Sequence, residues 1–124
     1  METRSILVVV RDEGLGFLLD LILAEAGLRA VFVESGPEAL AHIEESKPAL
    51  VIVDVKTPQN GALEAIAQLK ASPIAGGVPV WALTYAETAA DEAAEAGADR
   101  RIRKPFDIDW FVAAVKCQVL GETP

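Results

Sequence analysis

The stretch Pro48-Ala49-Leu50-Val51-Ile52-Val53-Asp54 decides how this chain is read. Four consecutive Leu, Val or Ile residues suit a strand buried on both faces, as in a parallel sheet covered by helices. A carboxylate then closes the run at the point where such a strand leaves the sheet. Similar apolar runs recur at residues 6–10, 30–33 and 78–83, with a weaker one around 101–102. Helix-forming segments lie between them. Leu15, Leu18, Leu19, Ile22, Leu23 and Ala26 repeat at helical spacing as one apolar face, and Gly27 ends the segment. Ser35-Gly36-Pro37-Glu38 has the form of a capping box with Pro in the first turn. Ala39, Leu40 and Ile43 then face inward, before Pro48 stops the helix.

Further helices are expected over residues 61–69 and 87–96, the second ending at Gly97. A fifth is capped by Asp107, with Phe106 and Phe111 as a hydrophobic staple. Strand and helix thus alternate five times. That pattern predicts an α/β doubly wound fold, a five-stranded parallel sheet with right-handed crossovers and helices on both faces. One domain is expected over residues 1–124, with its core at about residues 5–120 and a loose end at 121–124.

Composition narrows the function. Apolar residues make up 52% of the 124, enough for a core without disulfides, and there is one cysteine, Cys117. Lys and Arg number 11 against 19 Asp and Glu, a net charge of −8, which disfavours direct binding to nucleic acid. No apolar run approaches the roughly 20 residues of a membrane span, nor does the start have the length of a signal peptide. A cytoplasmic protein is expected, with no membrane partner.

In doubly wound sheets chemistry sits beyond the carboxyl ends of the strands. Those ends offer Arg11 and Asp12, then Asp54, Thr84 and Lys104-Pro105. The pattern resembles the receiver domain of bacterial response regulators, chemotaxis response regulators among them, over essentially the whole chain. Four features carry the resemblance: the strand ending in Asp54; Pro58, four residues on; Val78-Pro79-Val80-Trp81-Ala82-Leu83-Thr84, whose threonine lies 84 − 54 = 30 residues after Asp54; and Ala96-Gly97-Ala98-Asp99 followed by Lys104-Pro105-Phe106.

The resemblance implies strand order 2-1-3-4-5, a cis Lys104–Pro105 bond, and Asp54 as phosphoacceptor from a phosphohistidine on a histidine kinase or phosphotransfer protein. Thr84 and Lys104 would hold the phosphoryl oxygens, and Mg²⁺ is the family's cofactor. It also implies an output surface on the fourth helix, fifth strand and fifth helix, for a protein partner or a homodimer. Here that surface carries Arg100, Arg101 and Arg103 beside Asp91, Glu92 and Glu95.

The sequence departs from the family around the metal. Counted back from Ala26-Gly27, the two acids that hold Mg²⁺ fall on Val10 and Arg11. Asp12 and Asp54 are the only candidate metal ligands left. Asp12 and Glu13 also suit the first helix's N-terminus electrostatically. Lys56 stands two residues after Asp54, Tyr85 follows Thr84, and Arg101 replaces an aromatic residue. Arg11 is expected to take over from Mg²⁺ by pairing with Asp54, and Trp81 to report on the pocket. Two versions of a signalling module follow: a phosphorylatable receiver with a modified metal site, or a pseudo-receiver that binds partners constitutively.

Thr84 is equally readable as a helix cap with Glu87, and the three arginines as a solvated strand edge. An enzyme on the same fold is disfavoured. A phosphoaspartyl phosphatase needs an acid where Lys56 stands, and Gly14 with Gly16 is too little for a nucleotide loop.

Overall fold

The computed structural model describes residues 5–55, 61–73, 75, 77–84, 92–94 and 96–121. Five parallel strands form one sheet in the order β2-β1-β3-β4-β5: β1 (Ser5–Val9), β2 (Arg29–Val33), β3 (Leu50–Val55), β4 (Val80–Thr84) and β5 (Arg100–Arg103). The apolar runs of the sequence mark these strands to within one or two residues. Val10, expected in β1, lies just past it, with its N–H still bonded to Val33 O at 2.9 Å. Asp54 lies one residue inside β3 rather than beyond it.

Alternation along the strands divides the apolar side chains between two layers. Leu7, Val9, Val51, Val53 and Ala82 face one core, closed by α2 (Gly36–Glu45) and α3 (Ala62–Ala71). Ile6, Val8, Ile52, Trp81 and Leu83 face the other, closed by α1 (Glu13–Glu25) and the final helix α4 (Ile108–Leu120). Each fully buried Leu, Ile or Phe side chain contributes about 2 kcal/mol. That is why the buried stretches Ile6–Val9 of β1 and Leu50–Val53 of β3 carry no polar residue.

The helix ends follow their caps. Asp12 Oδ1 accepts from Leu15 N at 3.0 Å, and Asp107 Oδ1 from Trp110 N at 2.9 Å. The Phe106 and Phe111 rings pack with centroids 4.6 Å apart, as a staple requires. At α2, Ser35 Oγ accepts from Glu38 N, but the Glu38 carboxylate accepts in return from Glu34 N rather than from Ser35 N. Leu18, expected inside, is exposed alongside Phe17 and Leu21. The buried stripe of α1 is Leu19, Ile22 and Leu23. Of the helix expected over 87–96, residues 92–94 and 96 are helical; the others lie outside the described residues, as does the capping role suggested for Thr84 with Glu87.

Two details position the rim. A Cβ at Gly36 would lie 2.6 Å from Gln68 Oε1 and 3.1 Å from Ala65 Cα, so only glycine lets the start of α2 approach α3 this closely. Asp99, the last residue of the Ala-Gly-Ala-Asp signature, bonds Val80 N at 2.8 Å and Lys70 Nζ at 2.9 Å through one oxygen. Its own N–H donates to Val80 O. It thereby anchors the start of β4, which carries Thr84 at its far end.

Candidate functional site

The carboxyl ends of β3, β4 and β5 bring together the three residues that the sequence singles out. Asp54 is the neighbour of Leu83 across the β3–β4 ladder, and Thr84 the neighbour of Arg103 across β4–β5. Lys104 N donates to Thr84 O at 2.6 Å, which fixes the lysine immediately beyond β5. The Lys104–Pro105 peptide is cis, as expected. Lys104 Nζ reaches back across the rim and forms a buried ion pair with Asp54 Oδ1. Thr84 is fully buried, and its Oγ1 has no hydrogen-bond partner among the described residues. A carboxylate, an ammonium and a hydroxyl on neighbouring strand ends can hold a tetrahedral oxyanion. The carboxylate supplies a nucleophilic oxygen, and the other two supply donors to the anion's oxygens.

The β1 side of the rim is built differently. Val10 packs into the core beneath α1. The Arg11 guanidinium is exposed and does not pair with Asp54: its Nε donates to Glu34 O at 3.1 Å. The expected Arg11–Asp54 pair is therefore replaced by Lys104–Asp54. Lys104 lies just beyond β5, the second strand from β3, and its side chain is buried beside the carboxylate, whereas Arg11, at the end of the adjacent β1, bonds towards the end of β2. Asp12, one of the two candidate metal ligands, caps α1. Trp81 is buried under α4 near the opposite end of β4 from Thr84. Lys56, Pro58 and Tyr85 lie outside the described residues.

A half-open cleft of about 250 Å³ adjoins Asp54, bordered by Arg11, Glu34, Gly36, Gly61 and Gln68. Its walls at the α2 and α3 N-termini escape a reading that looks only at residues directly after strands. The sequence signal for them is Gly36, a glycine inside a capping box.

Mg²⁺ prefers an octahedron of oxygen ligands. The described residues of this rim offer it Asp54, already paired with an ammonium, beside a guanidinium that repels the ion. Among the described residues no three Asp, Glu, His or Cys side chains cluster as a metal site. Among the described residues this donor set does not fit the cation.

A doubly wound sheet of order 2-1-3-4-5 with a carboxylate, a hydroxyl and a lysine at the ends of β3, β4 and β5 defines a receiver-type module. The sequence matches the response regulator receiver domain family over residues 6–116, and the chain belongs to that family. It is 32% identical over 118 residues to the DNA-binding response regulator MtrA of Mycobacterium tuberculosis H37Rv, covering 94% of this chain and 50% of that protein. It is likewise 32% identical over 115 residues to the alkaline phosphatase synthesis transcriptional regulatory protein PhoP of Bacillus subtilis, covering 91% and 47%. The chain spans about half the length of these curated relatives.

Among solved structures, the signal receiver domain of a signal transduction histidine kinase from Syntrophus aciditrophicus superposes with a TM-score of 0.82 at 29% identity, covering 95% of this chain and 91% of that one. The chemotaxis protein CheY4 of Vibrio cholerae shares the fold at a TM-score of 0.80 and 20% identity, covering 94% and 99%. Receiver domains are signalling modules of two-component systems, which meet histidine kinases or phosphotransfer proteins and output domains. No helix among the described residues is long and apolar enough to cross a membrane.

Proposed function

We propose that this chain is a single receiver unit, core residues 5–120, working in the cytoplasm through protein–protein contacts, and that Asp54 accepts a phosphoryl group without help from Mg²⁺. The observation that carries this reading is the buried Asp54–Lys104 pair next to a Thr84 hydroxyl with no partner among the described residues. The Asp54 oxygen not paired with Lys104 attacks phosphorus, the P–N bond of a phosphohistidine breaks, and the imidazole leaves with its electron pair and takes up a proton. Lys104 and Thr84 then donate to the phosphoryl oxygens. A pseudo-receiver that is never phosphorylated is the second reading. It is favoured by the same ion pair, because a carboxylate already neutralised by an ammonium is a weaker nucleophile. An enzyme on this fold finds no support in the site.

Treatment with a small phosphodonor, with and without Mg²⁺, followed by intact-mass measurement separates the readings. The expected result is a slow gain of about 80 Da on the wild type, independent of Mg²⁺ and lost in Asp54→Asn. Labelling that requires Mg²⁺ would show the metal site to be intact. No adduct under either condition would leave the pseudo-receiver.

A further inference from the structure

Away from the carboxyl rim, Trp81 and Arg100 are neighbours across the β4–β5 ladder, near the amino-terminal ends of both strands. Ile102 is buried in the layer beneath α4, so alternation puts Arg100 on the α4 side as well. There its guanidinium carbon lies over two indole rings, 5.1 Å from the centroid of Trp81 and 5.1 Å from that of Trp110. Trp81 is buried, whereas Trp110 is 46% exposed.

Stacking occupies the faces of a guanidinium and leaves its in-plane N–H groups at the edge. Among the described residues no carboxylate pairs with that edge. The adjacent acid, Asp99, is engaged by Lys70 Nζ and Val80 N. Arg100 also borders a half-open cleft of about 270 Å³, whose other walls include Trp81, Trp110, Ala113, Ala114 and Cys117. An oriented cation thus stands at the edge of a small aromatic and apolar cleft. Its volume falls just below the roughly 300 Å³ at which pockets for drug-sized ligands begin, so it suits a single ring with a short arm.

We infer that this cleft binds a small aromatic carboxylate, one ring carrying one carboxylate on a short arm. The carboxylate takes two parallel N–H groups of Arg100, the paired geometry that a planar guanidinium matches. The ring enters the cleft against Trp81 and Trp110, where offset or edge-on aromatic contact is favourable. Cys117 serves as a small apolar wall. Inorganic phosphate would satisfy the cation but leave the apolar walls unmatched. The ligand is a free small molecule, and its binding does not depend on phosphorylation of Asp54.

The test is titration of the intact chain with phenylacetate. The chain has two tryptophans, so the indole N–H region of its NMR spectrum reports each ring separately. Saturable movement of both signals is expected, with binding about tenfold weaker for the neutral phenylacetamide. Arg100→Gln should bring the carboxylate down to the affinity of the amide. On the wild type, phenylacetate should also slow alkylation of Cys117 by iodoacetamide. An arginine that only covers two indoles would give shifts linear in concentration, or equal shifts for acid and amide, and either result overturns the inference. Undiminished affinity in a folded Arg100→Gln chain overturns it too. Unchanged alkylation of Cys117 at saturation would put the ligand outside this cleft, with the same consequence. The amide comparison and the alkylation both use the wild type, so the outcome does not hang on how the variant folds.

Discussion

The two halves of the carboxyl rim have different fates. At the ends of β3, β4 and β5, polar groups are buried and aimed at one another: Asp54 pairs with Lys104, and Thr84 keeps a hydroxyl that nothing among the described residues satisfies. At the end of β1, each residue where an acidic pair or its substitute is sought has a structural occupation. Val10 fills core, Arg11 holds the Glu34 carbonyl, and Asp12 caps α1. Burying unpaired polar groups costs stability, so the first half is costly to keep, whereas the second half is what a fold does with side chains it needs only for packing and capping. On the proposed function, phosphoryl-holding and metal-holding are separable on this rim.

The largest expected effect tests the polar half. Lys104→Met removes the ammonium and strands the buried Asp54 carboxylate, at a cost of about 3 kcal/mol in urea denaturation. Adding Asp54→Asn to the same chain should return most of that loss, since neither partner then carries a buried charge. Single and double variants with additive effects would mean that the pair is not coupled, and the contrast between the two halves would lose its main support.

Much of this was legible in the sequence, and what was missed shares one cause. The runs at 50–53 and 78–83 locate buried strands because a parallel sheet leaves them no polar alternative. Asp54, Thr84 and Lys104 could be placed on one rim because each directly follows or closes such a run. The direction of an exposed side chain leaves no such periodic trace. Arg11 was placed correctly at the end of β1, but its partner depends on which acceptor its long side chain meets first, and Glu34 O lies on the far side from Asp54. Leu18 matched the apolar period of α1 yet lies at its margin, outside the width of the buried stripe. Gly36 was legible as a turn residue only; its contact with α3 joins elements with a whole strand between them in sequence.

A middle-sized effect runs opposite in sign to most core substitutions. Thr84→Val replaces a buried hydroxyl that has no partner among the described residues by a methyl group of the same shape, so it should stabilise the chain by about 1 kcal/mol. The same change should shorten the lifetime of any phosphoryl adduct, because one donor to its oxygens is gone. A destabilised Thr84→Val chain would show that the hydroxyl is satisfied in solution, and Thr84 would then belong with the structural half of the rim.

The smallest effect on stability is expected at Arg11, where the two halves meet. Its side chain is exposed and makes one bond to a backbone carbonyl, so Arg11→Ala should shift unfolding by no more than about 0.5 kcal/mol. Its effect on labelling should be clearer. Arg11 borders the cleft that opens onto Asp54, and a cation at the mouth of a cleft raises the local concentration of an anionic phosphodonor. Arg11→Ala should therefore slow Asp54 labelling a few-fold at low salt, about threefold for a surface charge of this kind. The wild-type rate should fall with ionic strength until the two chains converge, because screening acts on the steering and not on the attack. The measurement is the initial labelling rate of both chains across a salt series. If Arg11→Ala labels faster at every salt concentration, the guanidinium obstructs the cleft instead of attracting anions to it, and the β1 half of the rim is a plug over Asp54.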